Sequence, residues 1–263
     1  MRQLVGVGYR RPLAPWIAQR PATVGCLEIT AEHFFDGGLD LLRLLRRDYP
    51  LFVHGLGLSL GTPGRLDRET LEQFARVVEA ANPEVVTEHI AFTRTADVDL
   101  GHLNPVRPTR ANVRLFADHA REVADRCGRR LLLENIATHL ALPGEMPEPE
   151  FLNQICDASG AGLLLDVTNL FVNSRNHGFD PVRWLEEIEP KNVVQLHVVG
   201  YTQRDGRWHD LHAEPIQDDL HALIEEVLFR TSPRAVILER DEEIPAGDEI
   251  ARELRDLEAV HAR

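Results

Sequence analysis

The chain has 263 residues, 43% of them hydrophobic, which is enough for one large hydrophobic core. Its 42 acidic and 29 basic residues give a formal net charge of -13, which argues against nucleic acid or an anionic membrane as a partner. Because Cys26, Cys127 and Cys156 lack CxxC spacing, and no secretory signal or long apolar span is present, we expect a cytoplasmic protein with reduced thiols.

Short apolar runs rich in leucine or β-branched residues recur along the whole chain and predict eight strands. Nearly continuous apolar runs are typical of parallel strands that are buried on both faces. In chain order the predicted strands are Leu4–Tyr9, Val24–Thr30, Leu51–Leu56, Val85–Ile90, Arg130–Ile136, Gly162–Asn169, Val193–Val199 and Ala235–Arg240.

The intervals between these strands carry helical periodicity, for example over Thr70–Ala81 and Asn112–Cys127. Eight alternating strand and helix units predict an α/β protein with a (β/α)8 TIM barrel, formed by a single domain over residues 1–263. A doubly wound open sheet is the alternative. It would normally carry a glycine-rich nucleotide turn, and Gly6-Val7-Gly8 lacks the third glycine of that turn.

Six successive predicted strands end in an imidazole or a carboxylate. Because the carboxyl ends of parallel barrel strands meet at one mouth, these side chains should converge there. Such a cluster would be costly to bury without compensation, and bound divalent cations are the simplest compensation. The predicted metal ligands are His54, His89, Glu134, Asp166, His197 and Glu239.

A further group of candidate ligands lies outside the strand ends. Asp210 and His212 follow the seventh strand two residues apart, so they point the same way if that loop is extended. Asn169 could add a side-chain oxygen, although a helix N-cap is an equally good role for it. These three residues predict a further ion.

Other polar residues are candidates for catalysis or support. His177 could bind substrate or transfer a proton, or could simply hydrogen-bond to the backbone. Asp241 could act as a general base, or could pair with a neighbouring basic residue. Glu28, Glu32 and His33 could support the ligands from the end of the second strand, although solvation is the stronger interpretation for Glu32.

Seven short strings surround these residues: His54-Gly55, Thr87-Glu88-His89, Leu133-Glu134-Asn135-Ile136, Leu165-Asp166-Val167-Thr168-Asn169, Asn176-His177-Gly178, Gln195-Leu196-His197 and Leu238-Glu239-Arg240-Asp241. They resemble the methanobactin-type multinuclear non-haem iron oxidase family, within the xylose-isomerase-like barrels that include endonuclease IV, and the resemblance covers most of the chain. Asn169 stands where the nuclease would have a histidine at its third metal, and the acidic composition lacks a DNA-binding stripe.

This resemblance implies an O2-dependent oxidase that modifies cysteine residues of a ribosomally synthesised precursor peptide in natural-product biosynthesis. It implies two to three iron ions in a mixed-valent Fe2+/Fe3+ state, and a separate partner protein that binds the leader peptide. By resemblance, three sets of residues would hold the ions: His54, His89 and Glu134; then Glu134 as a bridge with Asp166, His197 and Glu239; then Asn169, Asp210 and His212.

A second hypothesis is a divalent-metal hydrolase or isomerase of the xylose-isomerase-like or endonuclease IV-like kind. Two or three ions would then activate water on a phosphodiester or polarise a sugar, and zinc, manganese or magnesium would replace iron. A non-enzymatic scaffold would need a coordinatively closed cluster. Nine candidate ligands for up to three ions leave open positions, which argues against a scaffold.

Overall fold

A computed structural model describes residues 3–95 and 97–261, and eight parallel strands within them close into a barrel. In chain order the strands are β1 (Leu4–Gly8), β2 (Cys26–Thr30), β3 (Leu51–His54), β4 (Val85–His89), β5 (Phe92–Arg94), β6 (Asp99–Asn104), β7 (Arg130–Glu134), β8 (Gly162–Asp166), β9 (Val193–Val198), β10 (Gly200–Arg204), β11 (Arg207–Glu214) and β12 (Ala235–Leu238). Around the barrel the strand order is β1-β12-β9-β8-β7-β4-β3-β2, so the predicted (β/α)8 architecture is confirmed and the open sheet is excluded.

Each predicted strand overlaps one barrel strand, and the largest difference lies in β8. The prediction carried that strand to Asn169, but it ends at Asp166 because the Asp166 side chain caps the helix that begins at Val167. Asn169 therefore lies in the first turn of a helix and not in a strand. The assignment of one domain over residues 1–263 stays a prediction.

Helices surround the barrel and bury one face each against the strands. In the helix predicted over Thr70–Ala81, the first turn begins at Arg68 because the Asp67 carboxylate accepts a hydrogen bond from the Thr70 backbone. None of the described helices has the length and apolar composition needed to cross a membrane. The helices are α1 (Ala14–Ile17), α2 (Leu39–Asp48), α3 (Arg68–Ala81), α4 (Arg110–Cys127), α5 (Glu148–Ser159), α6 (Val167–His177), α7 (Pro181–Glu186), α8 (Asp218–Arg230) and α9 (Gly247–His261), and three short 3₁₀ helices span Arg11–Leu13, Ala31–Phe34 and Pro190–Asn192.

The barrel interior contains an apolar layer that supports the site. Phe52, Leu132, Leu164 and Ile237 pack together in one buried cluster inside the barrel. Side chains alternate between the two faces of a strand, so the residue two positions further along each strand also points inward. Those next positions carry His54, Glu134, Asp166 and Glu239, and the polar layer therefore lies directly above the apolar one at the carboxyl ends of the strands.

Two antiparallel hairpins, β5–β6 and β10–β11, follow barrel strands β4 and β9 and were not predicted from the sequence. The segment that contains Asp210 and His212 was expected to be a loop. It is instead part of strand β11, and the β10–β11 pairing is irregular between Gly200 and Thr202. His212 has a left-handed φ of 51°, an uncommon conformation for a residue that is not glycine, so the strand is locally distorted next to the barrel mouth.

Candidate metal centre

Seven residues predicted as metal ligands, together with Asp241, converge at the barrel mouth. Three groups of side chains there have ligand atoms that all lie within 4.8 Å of one another. Glu134 belongs to the first two groups and Glu239 to the last two, so the groups are connected. We name them site A (His54, His89, Glu134), site B (Glu134, Asp166, His197, Glu239) and site C (His212, Glu239, Asp241).

In site A, the His54 ring is fixed by Thr87. The Thr87 hydroxyl donates to the Val53 carbonyl over 3.4 Å and accepts from His54 Nδ1 over 2.7 Å. With the proton assigned to Nδ1 in this way, the lone pair of Nε2 points at Glu134 Oε2, 3.5 Å away. Burial, and then His89, hold the pKa of His54 well below its usual range, so this imidazole is neutral and available as a ligand.

His89 completes site A with the same arrangement on the neighbouring strand. Its Nδ1 donates to Glu88 Oε1 over 3.2 Å, and Nε2 lies 3.3 Å from Glu134 Oε2. Glu88 is held in turn, because its second oxygen accepts the backbone N–H of Leu58 over 2.9 Å. Both imidazoles of site A therefore present Nε2 to the same carboxylate oxygen, where a cation would be shared by three donors.

In site B, His197 is buried and lies between three carboxylates. Its Nε2 donates to Glu28 Oε1 over 2.6 Å, which leaves Nδ1 facing Glu134 Oε1 at 3.2 Å and Glu239 Oε2 at 2.9 Å. Glu28 fixes the ring by the outward nitrogen, as supporting carboxylates do for metal-bound histidines. The inward nitrogen thus faces the two carboxylates that connect site B to sites A and C.

Asp166 has one oxygen engaged and one free. Its Oδ1 accepts the Asn169 backbone N–H over 2.6 Å as the N-cap of α6, whereas Oδ2 is buried with no hydrogen-bond partner. Asn169 itself donates its side-chain amide to the Asn135 carbonyl over 3.1 Å. The N-cap of α6 is therefore Asp166 and not Asn169, which lies in the first turn of the helix.

The residues of site C differ in part from the third set implied by the resemblance. His212 Nδ1 lies 3.5 Å from Glu239 Oε2 and 3.8 Å from Asp241 Oδ2. Asp210, which was predicted to lie next to His212, contacts the opposite nitrogen of the ring, with Oδ2 3.3 Å from His212 Nε2. Asp210 and His212 thus lie together as predicted, although the backbone is distorted at His212.

Buried polar atoms without partners concentrate at this mouth. The four in the cluster are Glu134 Oε2, Asp166 Oδ2, Asp210 Oδ2 and His212 Nδ1. An unpaired buried polar atom costs about 1–3 kcal/mol, so four in one cluster indicate a missing partner. Imidazole nitrogens and carboxylate oxygens are the donors that a borderline divalent cation takes, and the donor set fits metal ions.

The electrostatics indicate the same missing positive charge. Burial lowers the pKa of His89, but Glu134 and Glu88 outweigh it and raise that pKa to about 9. Burial, then Asp210 and Glu134, raise the pKa of Asp166 well above its usual range. Without a cation, protons therefore have to balance the cluster, and a metal ion can replace them.

The two residues predicted as catalytic lie in different places. Asp241 belongs to site C at the mouth, where its side chain is 39% exposed and its Oδ1 accepts from Arg10 Nε over 2.7 Å. His177 is the last residue of α6, is exposed, and its Nε2 hydrogen-bonds to the Thr138 carbonyl over 2.7 Å. It is not one of the residues of sites A to C, and its role in a reaction stays a prediction.

Arg10 is the residue of the site that sequence reasoning missed. Its guanidinium contacts Asp241 and lies 3.3 Å from Glu239 Oε1, so it holds two acidic residues of site C. It follows the end of β1 by two positions, but a guanidinium is not a metal ligand, so a search for imidazoles and carboxylates at strand ends does not find it. Glu32, expected to be solvated, instead accepts the backbone N–H groups of Leu56 and Gly57, each over 2.8 Å.

Solved structures with the same fold are barrels of the xylose-isomerase-like kind. Endonuclease IV from Thermus thermophilus has a TM-score of 0.62 at 17% identity, covering 98% of each chain. A xylose isomerase domain protein from Planctomyces limnophilus has a TM-score of 0.60 at 11% identity, covering 99% of this chain and 98% of that one. Another Thermus thermophilus protein, soaked with zinc chloride, has a TM-score of 0.60 at 20% identity, covering 98% of each chain. At these identities the likeness concerns the fold alone.

Sequence relatives cover nearly the whole chain. A UPF0276 protein of Chromobacterium violaceum is 35% identical over 258 residues, which make up 97% of this chain and 94% of that protein. A UPF0276 protein of Rhizorhabdus wittichii is 32% identical over 270 residues, covering 100% of this chain and 97% of that one. The family model described as RiPP precursor modification enzyme MbnB/TglH/ChrH matches residues 4–262. The family resemblance expected from the strand-end residues is confirmed, and the chain belongs to the MbnB/TglH/ChrH family of RiPP precursor modification enzymes.

Proposed function

We propose that this protein is a multinuclear non-haem iron, O2-dependent oxidase that modifies cysteine residues of a ribosomally synthesised precursor peptide. The observation that carries the proposal is the connection of sites A, B and C through the shared carboxylates of Glu134 and Glu239. Shared carboxylates hold ions next to one another, which suits a reaction that needs more than one metal. Membership of a family of RiPP precursor modification enzymes supplies the substrate class.

Two to three iron ions would be held by the residues of sites A, B and C. His54, His89 and Glu134 would hold the first ion, and Glu134 would connect it to a second ion held with Asp166, His197 and Glu239. A third would take His212 with Glu239 and Asp241 or, as the resemblance implies, with Asp210 and Asn169. In a mixed-valent Fe2+/Fe3+ state these ions would supply electrons for O2-dependent chemistry that no side chain can provide.

The donor set favours iron over copper(I), magnesium and calcium. The cluster mixes three imidazoles of sites A and B with carboxylates, and no cysteine is among the ligands of the three groups. Thiolate-rich sites select zinc or copper(I), and all-oxygen sites suit magnesium or calcium, whereas mixed nitrogen and oxygen donors suit iron. Zinc and manganese also accept such donors, so the choice of metal is a matter for direct measurement.

The chain's own residues would prepare the centre for catalysis. Thr87, Glu88 and Glu28 hold the outward nitrogens of the three buried imidazoles, which fixes the direction of each inward lone pair. Arg10 neutralises charge on Glu239 and Asp241 at the edge of the mouth. These contacts set the geometry before any substrate arrives, which reduces the cost of reorganisation during the reaction.

Asp241 is placed to handle the proton of an incoming thiol. Burial, and then Glu239, raise the pKa of its carboxyl, while Arg10 opposes the increase. Oδ1 is occupied by Arg10, so Oδ2, which faces His212, would take up the proton when the third ion is held by His212, Asp210 and Asn169 and leaves this oxygen free. The partial exposure of Asp241 allows substrate to reach it. A separate leader-binding partner protein is part of the proposal and would deliver the peptide to this mouth.

Metal analysis and Mössbauer spectroscopy on protein purified anaerobically from iron-supplemented cells test the proposal. We expect two or more irons per chain, with fewer in His54→Ala and unchanged content in the matched control His102→Ala, which alters an exposed histidine on the β5–β6 hairpin. Oxygen consumption that depends on a cysteine-bearing precursor peptide would support the oxidase. Stoichiometric zinc or manganese with negligible iron would instead favour the hydrolase or isomerase hypothesis.

A further inference from the structure

A large pocket opens beside site C, on the side of the mouth formed by the ends of β1 and β2. Its volume is about 730 Å³, enough for an amino-acid side chain with part of its backbone. Arg10 and Asp241 line it; Asp241 belongs to site C, and Arg10 contacts Glu239 of the same site. A molecule in this pocket would therefore lie next to the candidate reaction centre. We name it the Arg11 pocket, after the residue that distinguishes it.

The two arginines of this pocket differ in their partners. Arg10 is fully engaged, because its guanidinium contacts both Asp241 and Glu239. Arg11 is exposed, and within residues 3–95 and 97–261 no carboxylate lies within ion-pair distance of it. Arg11 therefore presents a guanidinium that can pair with an incoming anion without first breaking an internal ion pair.

The remaining walls are largely apolar and aromatic. Tyr9 and Phe34 supply aromatic surface, and Leu41 and Ile244 supply aliphatic surface; Leu41 is 37% exposed although it is a large hydrophobic residue. Asp36 also lines the pocket, and no described cation lies within ion-pair distance of it. This combination of Arg11 with apolar walls suits a ligand group that has an apolar body and one anionic end. In such pockets a few polar side chains fix the orientation of the ligand.

We propose that the Arg11 pocket binds a carboxylate-bearing residue of the substrate, and that Arg11 pairs with that carboxylate. Guanidinium and carboxylate match as a planar, two-pronged pair, which gives direction as well as affinity. The inference rests on the proposed function in that it treats the pocket as the substrate side of the reaction centre. The carboxylate can belong to the peptide C-terminus or to an aspartate or glutamate near the modified cysteine.

The binding step can be tested on the purified, metal-containing protein with a small probe. Calorimetric titration with 3-phenylpropionate should give saturable binding, and 3-phenylpropanamide, which lacks the charge, should bind at least tenfold more weakly. Arg11→Gln should weaken the binding of 3-phenylpropionate at least tenfold, because glutamine lacks the charge and the planar fork of donors that pair with a carboxylate. Asp36→Asn is the matched control on the same wall and should bind the probe as well as, or better than, the unmodified protein.

Equal binding of acid and amide, or equal binding of the acid by Arg11→Gln and the unmodified protein, would overturn the proposal. The second result would assign the carboxylate to the metal centre or another site. Unchanged thermal unfolding temperature in Arg11→Gln would show that the variant is folded. Because this titration needs neither turnover nor iron, it can succeed even if the oxidase proposal fails, and the reverse also holds.

Cysteine-bearing decapeptides then separate the two sources of the carboxylate. Four peptides combine a C-terminal acid or amide with a glutamate or glutamine next to the cysteine. If the Arg11-dependent part of the affinity is lost when the C-terminal acid becomes an amide, the carboxylate is that of the C-terminus. If it is lost when the glutamate becomes glutamine, the carboxylate is that of the side chain. Either result supports the proposal. Binding of all four peptides with equal affinity and no effect of Arg11→Gln would overturn the assignment of this pocket to the substrate.

Discussion

The carboxylate of Glu134 and the imidazole of His197 meet through their inward-facing atoms, with Oε1 3.2 Å from Nδ1. Glu28 already holds the other nitrogen of that ring, so Nδ1 must carry either a proton or a metal ion. The second oxygen of Glu134 faces His54 and His89 in the same way. Glu134 thus lies at the junction of sites A and B, and its replacement should affect both.

We expect Glu134→Gln to remove at least one metal ion per chain and to lower activity by at least a hundredfold. The amide keeps the size of the carboxylate but lacks the charge and one acceptor needed to connect two cations. Inductively coupled plasma mass spectrometry on the purified variant measures this directly. Glu72→Gln is the matched control, because Glu72 lies on the surface, far from the barrel mouth, and pairs with Arg126. Full metal content in Glu134→Gln would contradict a bridging role.

A second prediction concerns Glu28, which touches the centre only through His197. Glu28→Ala should weaken metal binding about 10–100-fold, the usual effect of removing a carboxylate that orients a metal-bound imidazole. Glu28→Gln should recover part of that loss, because an amide oxygen can still accept from Nε2 at the observed 2.6 Å. Competition with a chelator of known affinity measures both variants. Equal affinity in the alanine and glutamine variants would argue that the ring does not need this hydrogen bond.

Much of this site could be predicted from sequence because strand geometry determines it. His54, Glu134 and Asp166 each follow an apolar run, and closing parallel strands into a barrel necessarily brings their ends together. Alternation along the strand then decides which residues face inward. The same rule explains why the ligands lie one layer above Phe52 and Leu164.

The remainder of the site depends on tertiary contacts that no local pattern encodes. Arg10 reaches Asp241 across 231 positions of sequence, and no local residue pattern indicates the left-handed backbone conformation of His212. The hairpins β5–β6 and β10–β11 were missed since their strands are short or largely polar and resemble loops. The role of Asn169 was ambiguous for a similar reason, because capping and ligation favour the same residue type at a helix start.

The third prediction is that metal-free protein loses stability as the pH rises from about 6.5 to about 9. Burial opposes protonation of His89, but Glu134 and Glu88 raise its pKa from 6.5 to about 9, so the folded state binds this proton more tightly than the unfolded chain does. Stability from such a group is complete below the unfolded pKa and is lost as the pH approaches the folded one. For His89 alone the loss amounts to about 3 kcal/mol.

Urea unfolding of chelator-treated protein at pH 6.5 and pH 9 measures this loss as a change in the free energy of unfolding. The pKa values of His197 and His212 are also raised, by carboxylates that outweigh burial, and they change stability in the same direction. Metal-loaded protein should depend less on pH across this range, because cations then replace the protons. An apo protein that is equally stable at both pH values would contradict the proton-balanced cluster.

The last prediction concerns Glu32, which supports the loop after β3 and lies outside sites A to C. Burial, and then the nearby charge of Glu88, raise the pKa of Glu32 from 4.5 to about 7. An acid whose pKa is raised by folding favours the native state while it is protonated, so its contribution is lost as the pH rises from about 4.5 towards 7. Between pH 5 and pH 8 the unmodified protein should therefore lose about 2–3 kcal/mol that Glu32→Gln retains. Glutamine can still accept the Leu56 and Gly57 amides through Oε1, so the variant should fold.

This prediction is checked by measuring the free energy of unfolding of the unmodified protein and of Glu32→Gln at pH 5 and pH 8. Glu69→Gln, which alters an exposed glutamate, is the control. The difference between unmodified and variant protein should change with pH for Glu32 and stay constant for Glu69. A constant difference for both would mean that Glu32 ionises with an ordinary pKa and that the loop does not depend on its protonation.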